Sequence, residues 1–350
     1  MNNAFLTARS RVVSFVRDYF DRAGFLEIHT PRLVGLPGQE PYLEPMWTHV
    51  TDHQNVARRA ALITSPEYAM KRMLAHGFDK IYDLGPCFRN GEPWDGTHDP
   101  EFLMCEWYEK GIRLSELMDR TEAMITSVIA SFKALPEFAA FKPSLIHTDG
   151  ENNLHDQLEF SSFRRMTVTE AMQRYAHVDL DALLKNREAM AAACLERGQT
   201  VLDSDTWEDL FFKIFLSLVE PKLGWNDDMT RFQPTFLHAY PASMAALAQK
   251  DPQDPRYALR VELYIGSLEL ANGFVELSDV QEQRQRFEEE QALRRSLGKD
   301  TWSIDERFME ALPRMGQAAG IAFGVDRLAM LLTGATSISD LMPIPTRERF

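Results

Sequence analysis

"CFRNGEPWDGTHDPEFLMCEWYEKG", residues 87–111, is the stretch that decides the fold of this chain. Its second half alternates as a strand does. Phe102, Met104, Glu106 and Tyr108 share one face, and Leu103, Cys105 and Trp107 share the other. Its first half continues the upstream run "KIYDLGPCFRN", which also reads as a strand. The two make a hairpin with a long, turn-rich tip at residues 90–100, and long tips of this kind are often functional. Two readings of Glu106 and Tyr108 beside Phe102 are open. One is a half-exposed sheet, and the other is the floor of a ligand site.

Working outward, residues 7–23 have the spacing of an amphipathic helix, with Gly24 placed to stop it. "FLEIHTPRLV" reads as a strand broken at Pro31, "GLPGQEPYLEP" as a loop and "ALIT" as a short strand. "SPEYAMKRMLAHG" predicts a helix with Ser65 as N-cap, Pro66 at N1 and Gly77 as the stop. Downstream, residues 114–135 are helical, and residues 136–230 turn loop-rich and helical. Strand character returns in "PTFLHAYP", "RVELYIGSLELANGFVEL" and "AGIAFG", with helices at "VQEQRQRFEEEQALRRSLG" and "VDRLAMLLTG". Strands and helices do not alternate regularly. The pattern therefore favours an α+β fold with an antiparallel sheet over a doubly wound one.

A chain of 350 residues makes one large or two ordinary domains, and 45% hydrophobic residues can bury a sizeable core. The net charge of -14 makes a poor general binder of nucleic acid, which needs clustered Lys and Arg. Cys87, Cys105 and Cys194 show neither metal-ligand spacing nor an even-numbered framework, so they read as thiols in a reducing compartment. The first residues lack a secretory apolar stretch, and no run approaches a membrane span. The expectation is a cytoplasmic protein without a membrane partner.

Four stretches can carry chemistry. In the hairpin, Arg89 leaves one strand as Phe102 enters the next. An arginine for phosphate, an aromatic ring for a base and His98 nearby would suit a nucleotide. Surface ion pairs are the other reading. In "ELANGFVEL", residues 269–277, Asn272-Gly273 is a two-residue turn signal. A tight hairpin there would oppose Glu269 and Glu276, a repulsion that Mg²⁺ or an ammonium group would relieve. Without the hairpin, both glutamates are simply solvated. In "GIAFGVDRLAML", residues 320–331, a strand reaches Gly324 and a helix starts near Asp326. Arg327 then sits in a first turn whose free N–H groups favour an anion. Its partner is either such an anion or a surface carboxylate. In "TSPEYAMK", residues 64–71, Glu67 suits the first helical turn, and gripping a ligand amine would be an additional role.

Taken in order, these stretches resemble the catalytic core of a class II aminoacyl-tRNA synthetase of the lysine type. "GFLEIHTPRL" resembles motif 1, which implies a homodimer with Pro31 at the interface. "CFRN…HDPEF" resembles motif 2 with Arg89 as its arginine, and "GIAFGVDRLAML" resembles motif 3 with Arg327. "TSPEYAMKRML", "EFLMCEWY", "PTFLHAYPASMAALAQ" and "ELANGFVEL" resemble lysine-branch features. The resemblance covers about residues 5–350. It implies one catalytic domain over 1–350, an antiparallel sheet flanked by helices, and a helical insertion at about 136–230 between motifs 2 and 3. No room is left before motif 1 for an anticodon-binding barrel. With "ASMAALAQ", "ELANGF" and Ala322 in place of a usual glycine, this points to the elongation factor P–(R)-β-lysine ligase family.

That resemblance implies ATP and Mg²⁺ as cofactors, a small diamino-acid substrate, elongation factor P as protein acceptor, and no tRNA. Arg89 and Arg327 would be catalytic. With them, Asn90, Glu92, His98, Asp99, Phe102, Glu269, Leu270 and Gly324 would bind ATP. Ser65, Glu67, Glu106, Tyr108, Asn272, Phe274, Glu276 and Ala322 would bind the amino acid, and Glu269 and Glu276 would hold the metal. Motif 2 departs from the family wording. Gly91 stands where a glutamate is expected, with Glu92 next to it, Thr97 replaces a basic residue, and Asp99 replaces an asparagine. An aspartate beside a triphosphate is unfavourable unless a cation intervenes. Two other readings stay open. One is a free-standing α-lysine-activating paralogue serving tRNA or a carrier protein, and the other is a non-catalytic regulatory subunit.

Overall fold

Ala8, Val12, Val16 and Phe20 recur every four residues and form the buried stripe of the first helix, which Gly24 ends with φ +77°. The computed structural model describes residues 3–139, 141 and 162–349. Its strands are β1 (Leu26–Glu27), β2 (Leu33–Val34), β3 (Met46–Thr51), β4 (Ala57–Leu62), β5 (Lys80–Phe88), β6 (Glu101–Lys110), β7 (Arg164–Thr167), β8 (Thr235–Pro241), β9 (Tyr257–Ile265), β10 (Leu268–Val275) and β11 (Ala318–Gly324). Its α-helices are α1 (Asn3–Arg22), α2 (Glu67–Ala75), α3 (Leu114–Lys133), α4 (Val168–Ala171), α5 (Leu180–Leu183), α6 (Arg187–Glu196), α7 (Trp207–Ile214), α8 (Val280–Ser296), α9 (Glu306–Met315), α10 (Val325–Thr333) and α11 (Thr346–Arg349). The chain divides into two compact units, Met1–Asn152 with Val275–Phe350, and Asn153–Phe274.

In the first unit, β5 and β6 pair antiparallel with Cys87 opposite Phe102 and Asp83 opposite Glu106. β6 pairs antiparallel with β11, which sets Ala322 opposite Glu106 and Gly320 opposite Tyr108. At the edge, β1 lies parallel to β5. The face of β6 bearing Trp107 is closed by α1: the Trp107 ring lies 5.0 Å from Phe20, which itself stacks on Tyr82 at 4.8 Å. The other face is covered by α2. Glu106 and Tyr108 are each only 2% exposed, so the half-exposed-sheet reading fails. A second sheet, β2-β4-β3, includes the strand Met46–Thr51, which the sequence reading left out. The loop before it is fastened by Arg294 of α8. That buried side chain donates to the carbonyls of Glu40 and Leu43 at 2.9 Å each.

α2 starts one residue later than expected. Pro66 occupies the N-cap position and no side chain caps the helix, so Ser65 is not the cap. Glu67 still lies in the first turn, where its charge suits the helix dipole.

In the second unit, β10 pairs with β9 and β9 with β8, both antiparallel, while β7 lies parallel to β8. The antiparallel expectation therefore holds for the long pairs, and the short edge pairs β1–β5 and β7–β8 are parallel. The predicted turn at Asn272-Gly273 does not form. Those residues lie inside β10, opposite Glu262 and Val261. The turn is at Gly266-Ser267, both with positive φ (58° and 66°), the conformation that a two-residue hairpin prefers. Contacts beyond the hairpin select it. Gly266 N and Ser267 N donate to the carbonyls of Gly224 and Leu223, and Trp225 Nε1 donates to Ser267 Oγ at 2.9 Å. A Cβ on Gly224 would lie 2.3 Å from Gly266 N, so only glycine permits this approach. The described part of 136–230 holds short helices and β7, and its core includes Leu210, Phe211 and Ile214 of α7.

Candidate active site

The alternation of β6 places Phe102, Met104, Glu106 and Tyr108 along one floor. Beside them on β11 stand the small residues Gly324, Ala322 and Gly320, in register with Met104, Glu106 and Tyr108. Gly320 escaped the sequence reading, but a Cβ there would lie 2.2 Å from Tyr108 Cε1 and 2.8 Å from Glu276 Oε1. Its missing side chain is what lets the phenol and the carboxylate meet.

Over this floor lies α2, which brings Glu67 and Lys71 together across one helical turn. Lys71 Nζ lies 2.5 Å from Glu67 Oε1 and 2.5 Å from Glu276 Oε2. Tyr108 donates to Glu106 Oε1 at 2.5 Å, while Glu106 Oε2 is buried without a hydrogen-bond donor. Three carboxyl groups, one ammonium and one phenol thus share a buried space. Burial and then the charge of Glu67 hold Glu106 well above the usual carboxylate range, despite the Tyr108 hydrogen bond. Burial pushes Glu276 up to about 8, against the pull of Lys71 and with added repulsion from Glu67. Burial works against the charge on Lys71 as well, but Glu276 and Glu67 outweigh it and keep the ammonium protonated. Lys71 was missed by the sequence reading. The signal was the i, i+4 pair Glu67/Lys71 inside "PEYAMK".

Arg89 and Phe102 meet across the hairpin as expected, with the guanidinium carbon 5.1 Å from the ring centroid. Arg89 Nε is buried without an acceptor. A buried charged donor lacking a partner is costly, and an anion would relieve it. Arg327 lies in the first turn of α10. It reaches the hairpin tip, with Nε 3.4 Å from Thr97 O and Nη2 donating to His98 Nε2 at 3.1 Å. That contact puts the imidazole proton on Nδ1, which faces Asp95 Oδ1 at 3.1 Å. Partial burial opposes the charge on Asp95, but hydrogen bonds from Thr97 and His98 lower it to about 2.

The remaining first-unit candidates have distinct places. Asn90 is exposed, and its N–H bonds to Glu44 O at 2.8 Å. Glu92 lies 3.9 Å from His98. Asp99 is buried and turned toward α11, where it pairs with Arg349 at 2.7 Å. Gly324 is the N-cap of α10, and Asp326 in the first turn accepts from Leu103 N and Arg9 Nε at 2.7 Å each.

In the second unit, Glu269, Leu270, Asn272 and Phe274 all lie on β10. Leu270 is buried, and Phe274 packs on Ala245, Ala248 and Ala258. Asn272 Oδ1 accepts from Arg260 Nε at 3.1 Å. Arg260 also pairs with Glu262, which accepts from the hydroxyls of Tyr240 and Tyr264. Burial raises the phenols of Tyr240 and Tyr264, and the charges of Glu262 and Glu269 raise them further. Because β10 runs straight through Asn272-Gly273, the cross-strand pairing of Glu269 with Glu276 does not exist. Among the described residues, no group of three or more His, Cys, Asp or Glu is arranged to hold a metal. Mg²⁺ needs less, because one or two carboxylates with substrate phosphates suffice, and Glu269 meets that donor chemistry.

The described residues include no helix long and apolar enough to cross a membrane, and the three cysteines are buried free thiols.

Nearly the whole chain is similar to proteins of one known family. The family "tRNA synthetases class II (D, K and N)" matches residues 1–348. An elongation factor P–(R)-β-lysine ligase from Proteus mirabilis (strain HI4320) is 34% identical over 97% of this chain and 94% of the relative. Another so named, from Hamiltonella defensa, is 32% identical over 98% and 95%. A lysine–tRNA ligase from Mycoplasmoides gallisepticum is 33% identical over 96% of this chain, but the match spans 63% of that relative. The α+β composition and the motif 2 hairpin agree with this family, and the chain belongs to the class II tRNA synthetases of the D, K and N type, alongside the elongation factor P–(R)-β-lysine ligases.

Proposed function

We propose that the chain uses ATP to activate a lysine-type diamino acid, (R)-β-lysine or lysine, as an aminoacyl-adenylate, and transfers it to a lysine ε-amino group of elongation factor P. The observation that carries this reading is the buried charge cluster between α2 and β6. It holds more carboxylates than its one resident ammonium can neutralise, and the oxygen of Glu106 left without a donor suits an incoming ammonium. Arg89, with its unpaired buried Nε, suits the other substrate.

In the first step, the amino-acid carboxylate attacks the α-phosphorus and the bond to the pyrophosphate oxygen breaks. Arg89 stabilises the charge that develops there, and Arg327 holds the far phosphates with His98 beside it. Phe102 stacks on adenine. Glu67, Glu106, Tyr108 and Glu276 take the amines, with Ala322 shaping the floor. Because Glu276 is already ion-paired with Lys71, we assign it to the amine rather than to a metal. Mg²⁺, when bound, would neutralise phosphate charge, with Glu269 as its protein ligand. Leu270, Asn272 and Phe274 keep nucleotide and amino-acid roles on motif resemblance. In the second step, the acceptor amine attacks the adenylate carbonyl and AMP leaves.

ATP–pyrophosphate exchange without tRNA tests the reading. Exchange should depend on (R)-β-lysine or lysine, and label should then pass to elongation factor P. Absence of exchange with either amino acid would leave only a regulatory role. The match to lysine–tRNA ligases supports a second reading, an α-lysine-activating paralogue, which strong preference for α-lysine and transfer to tRNA would establish. The reading also places the protein in the cytoplasm as a homodimer, and sedimentation showing only monomer would remove the dimer.

A further inference from the structure

We propose that α11 is a clasp for the phosphate end of the site: Arg349 and Thr346 grip Asp99 and thereby hold Thr97 and His98 against Arg327. The proposal rests on the ATP reading above. Asp99 is 2% exposed. Its Oδ1 accepts from Arg349 Nη2 at 2.7 Å and from Glu101 N at 3.0 Å, and its Oδ2 accepts from Thr346 Oγ1. The same guanidinium reaches Glu101 Oε2 through Nη1 at 2.9 Å. One side chain from α11 therefore spans two carboxylates at the entry to β6.

The gripped segment is the one that meets the arginines. Thr97 and His98, immediately before Asp99, contact Arg327. Pro100, immediately after it, accepts from Arg89 N at 3.0 Å. A second tether lies upstream, where Ile338 N donates to Gly96 O at 2.8 Å. Residues 96–101 are thus fastened at both ends by the stretch 338–349, some 240 residues away in sequence. A four-residue helix has too little internal bonding to stand alone, so α11 depends on this contact as much as the loop does.

Electrostatics supply the reason for an arginine. A bare carboxylate next to His98 and Arg327 would repel a polyphosphate. Paired with Arg349, Asp99 is partly neutralised toward it and keeps its anchoring hydrogen bonds. Removing the arginine alone would leave a buried anion without its partner. Arg349 is accordingly a positioning residue that acts through Asp99.

Three full-length proteins test this: wild type, Arg349→Gln and the double variant Asp99→Asn/Arg349→Gln. In pyrophosphate exchange, Arg349→Gln should raise KM for ATP about tenfold while KM for the amino acid stays within twofold. The double variant, which removes the stranded charge, should recover most of that loss. An unchanged KM for ATP in Arg349→Gln overturns the clasp, as does an equal rise in both KM values that the double variant does not rescue. Hydrogen exchange gives a readout independent of catalysis. Amides in residues 89–101 should exchange at least tenfold faster in Arg349→Gln, with peptides from Asn153–Phe274 unchanged. Unaltered exchange in 89–101 also overturns the clasp. If exchange rises there but wild-type protein neither binds nor turns over ATP, the ATP reading fails and the clasp stands.

Discussion

The floor of β6 and the tip at residues 90–100 belong to one hairpin, yet they hold their charges in opposite ways. On the floor, Glu67, Lys71, Glu106, Tyr108 and Glu276 are buried and bonded to one another at 2.5 Å, within α2, within β6 and from Lys71 to Glu276. At the tip, Asp95, Thr97, His98 and Asp99 lie on irregular backbone and are tied down by distant residues, Arg327, Ile338, Thr346 and Arg349. A pocket made of regular elements inherits its geometry from strand and helix periods. A loop must acquire its geometry from partners elsewhere in the chain. The floor should therefore govern amino-acid selectivity and its pH dependence, and the tip with Arg89 should govern the chemistry at phosphorus.

The sharpest way to break this division is Arg89→Ala. Arg89 stands where the two regions meet, with its backbone bonded to Pro100 and its guanidinium over Phe102. Loss of one preorganised donor at a developing charge lowers rates by about 10²–10³-fold. Pyrophosphate exchange by Arg89→Ala should fall by that factor in kcat, with amino-acid binding by calorimetry nearly unchanged. If binding of the amino acid weakens as much as kcat falls, the two regions are not separable.

Glu276→Gln probes the floor and should have a smaller effect. Removing a charged hydrogen-bonding partner weakens an interaction by about 1.5–3 kcal/mol, so diamine activation should drop at least tenfold, mainly in KM. The pH dependence sharpens the test. Glu276 is raised to about 8 and Glu106 is also raised, so the folded, unliganded protein keeps protons that the unfolded chain loses near the ordinary carboxylate value. The stability associated with these groups is present below that value and is lost as pH rises through the folded pKa. Binding runs the other way. A cationic ligand favours the ionised carboxylates, so affinity should rise with pH between about 6 and 8, approaching tenfold per pH unit for each proton released. Glu276→Gln should flatten that slope. A wild-type affinity independent of pH across this window would mean that the pocket is already ionised.

The same contrast explains what could be read from the sequence. Period-two alternation in residues 101–110 located Phe102, Glu106 and Tyr108 on one face, and pairing across the hairpin brought Arg89 to Phe102. Lys71 was legible as an i, i+4 partner of Glu67, but its second partner, Glu276, is about 200 residues away, and no local pattern encodes that contact. Asn272-Gly273 misled for a related reason. The dipeptide has turn propensity, but Gly266-Ser267 wins because Leu223, Gly224 and Trp225 bind that turn. Asp99 looked like a liability beside phosphate until Arg349 was placed next to it. Ser65 lost the capping position to Pro66, since a one-residue shift at a helix start lies within the resolution of local propensity.

The finest test of the division is Ala322→Gly, which changes the floor by one methyl group. Ala322 lies opposite Glu106 in the β6–β11 register, between Gly320 and Gly324, and packs near Phe102. Its methyl is therefore the only side-chain carbon that β11 contributes to this part of the floor. A buried methylene is worth about 0.8 kcal/mol, which limits the discrimination one such group can supply to about fourfold. The ratio of kcat/KM for (R)-β-lysine to that for α-lysine should shift by up to this factor, toward α-lysine. KM for ATP should stay constant, because Phe102, Arg89 and the tethered tip are untouched. A shift in the ATP parameters with an unaltered amino-acid ratio would show that the methyl supports the adenine end of the strand, and that the boundary between the two regions lies one residue pair further along β6 than Glu106.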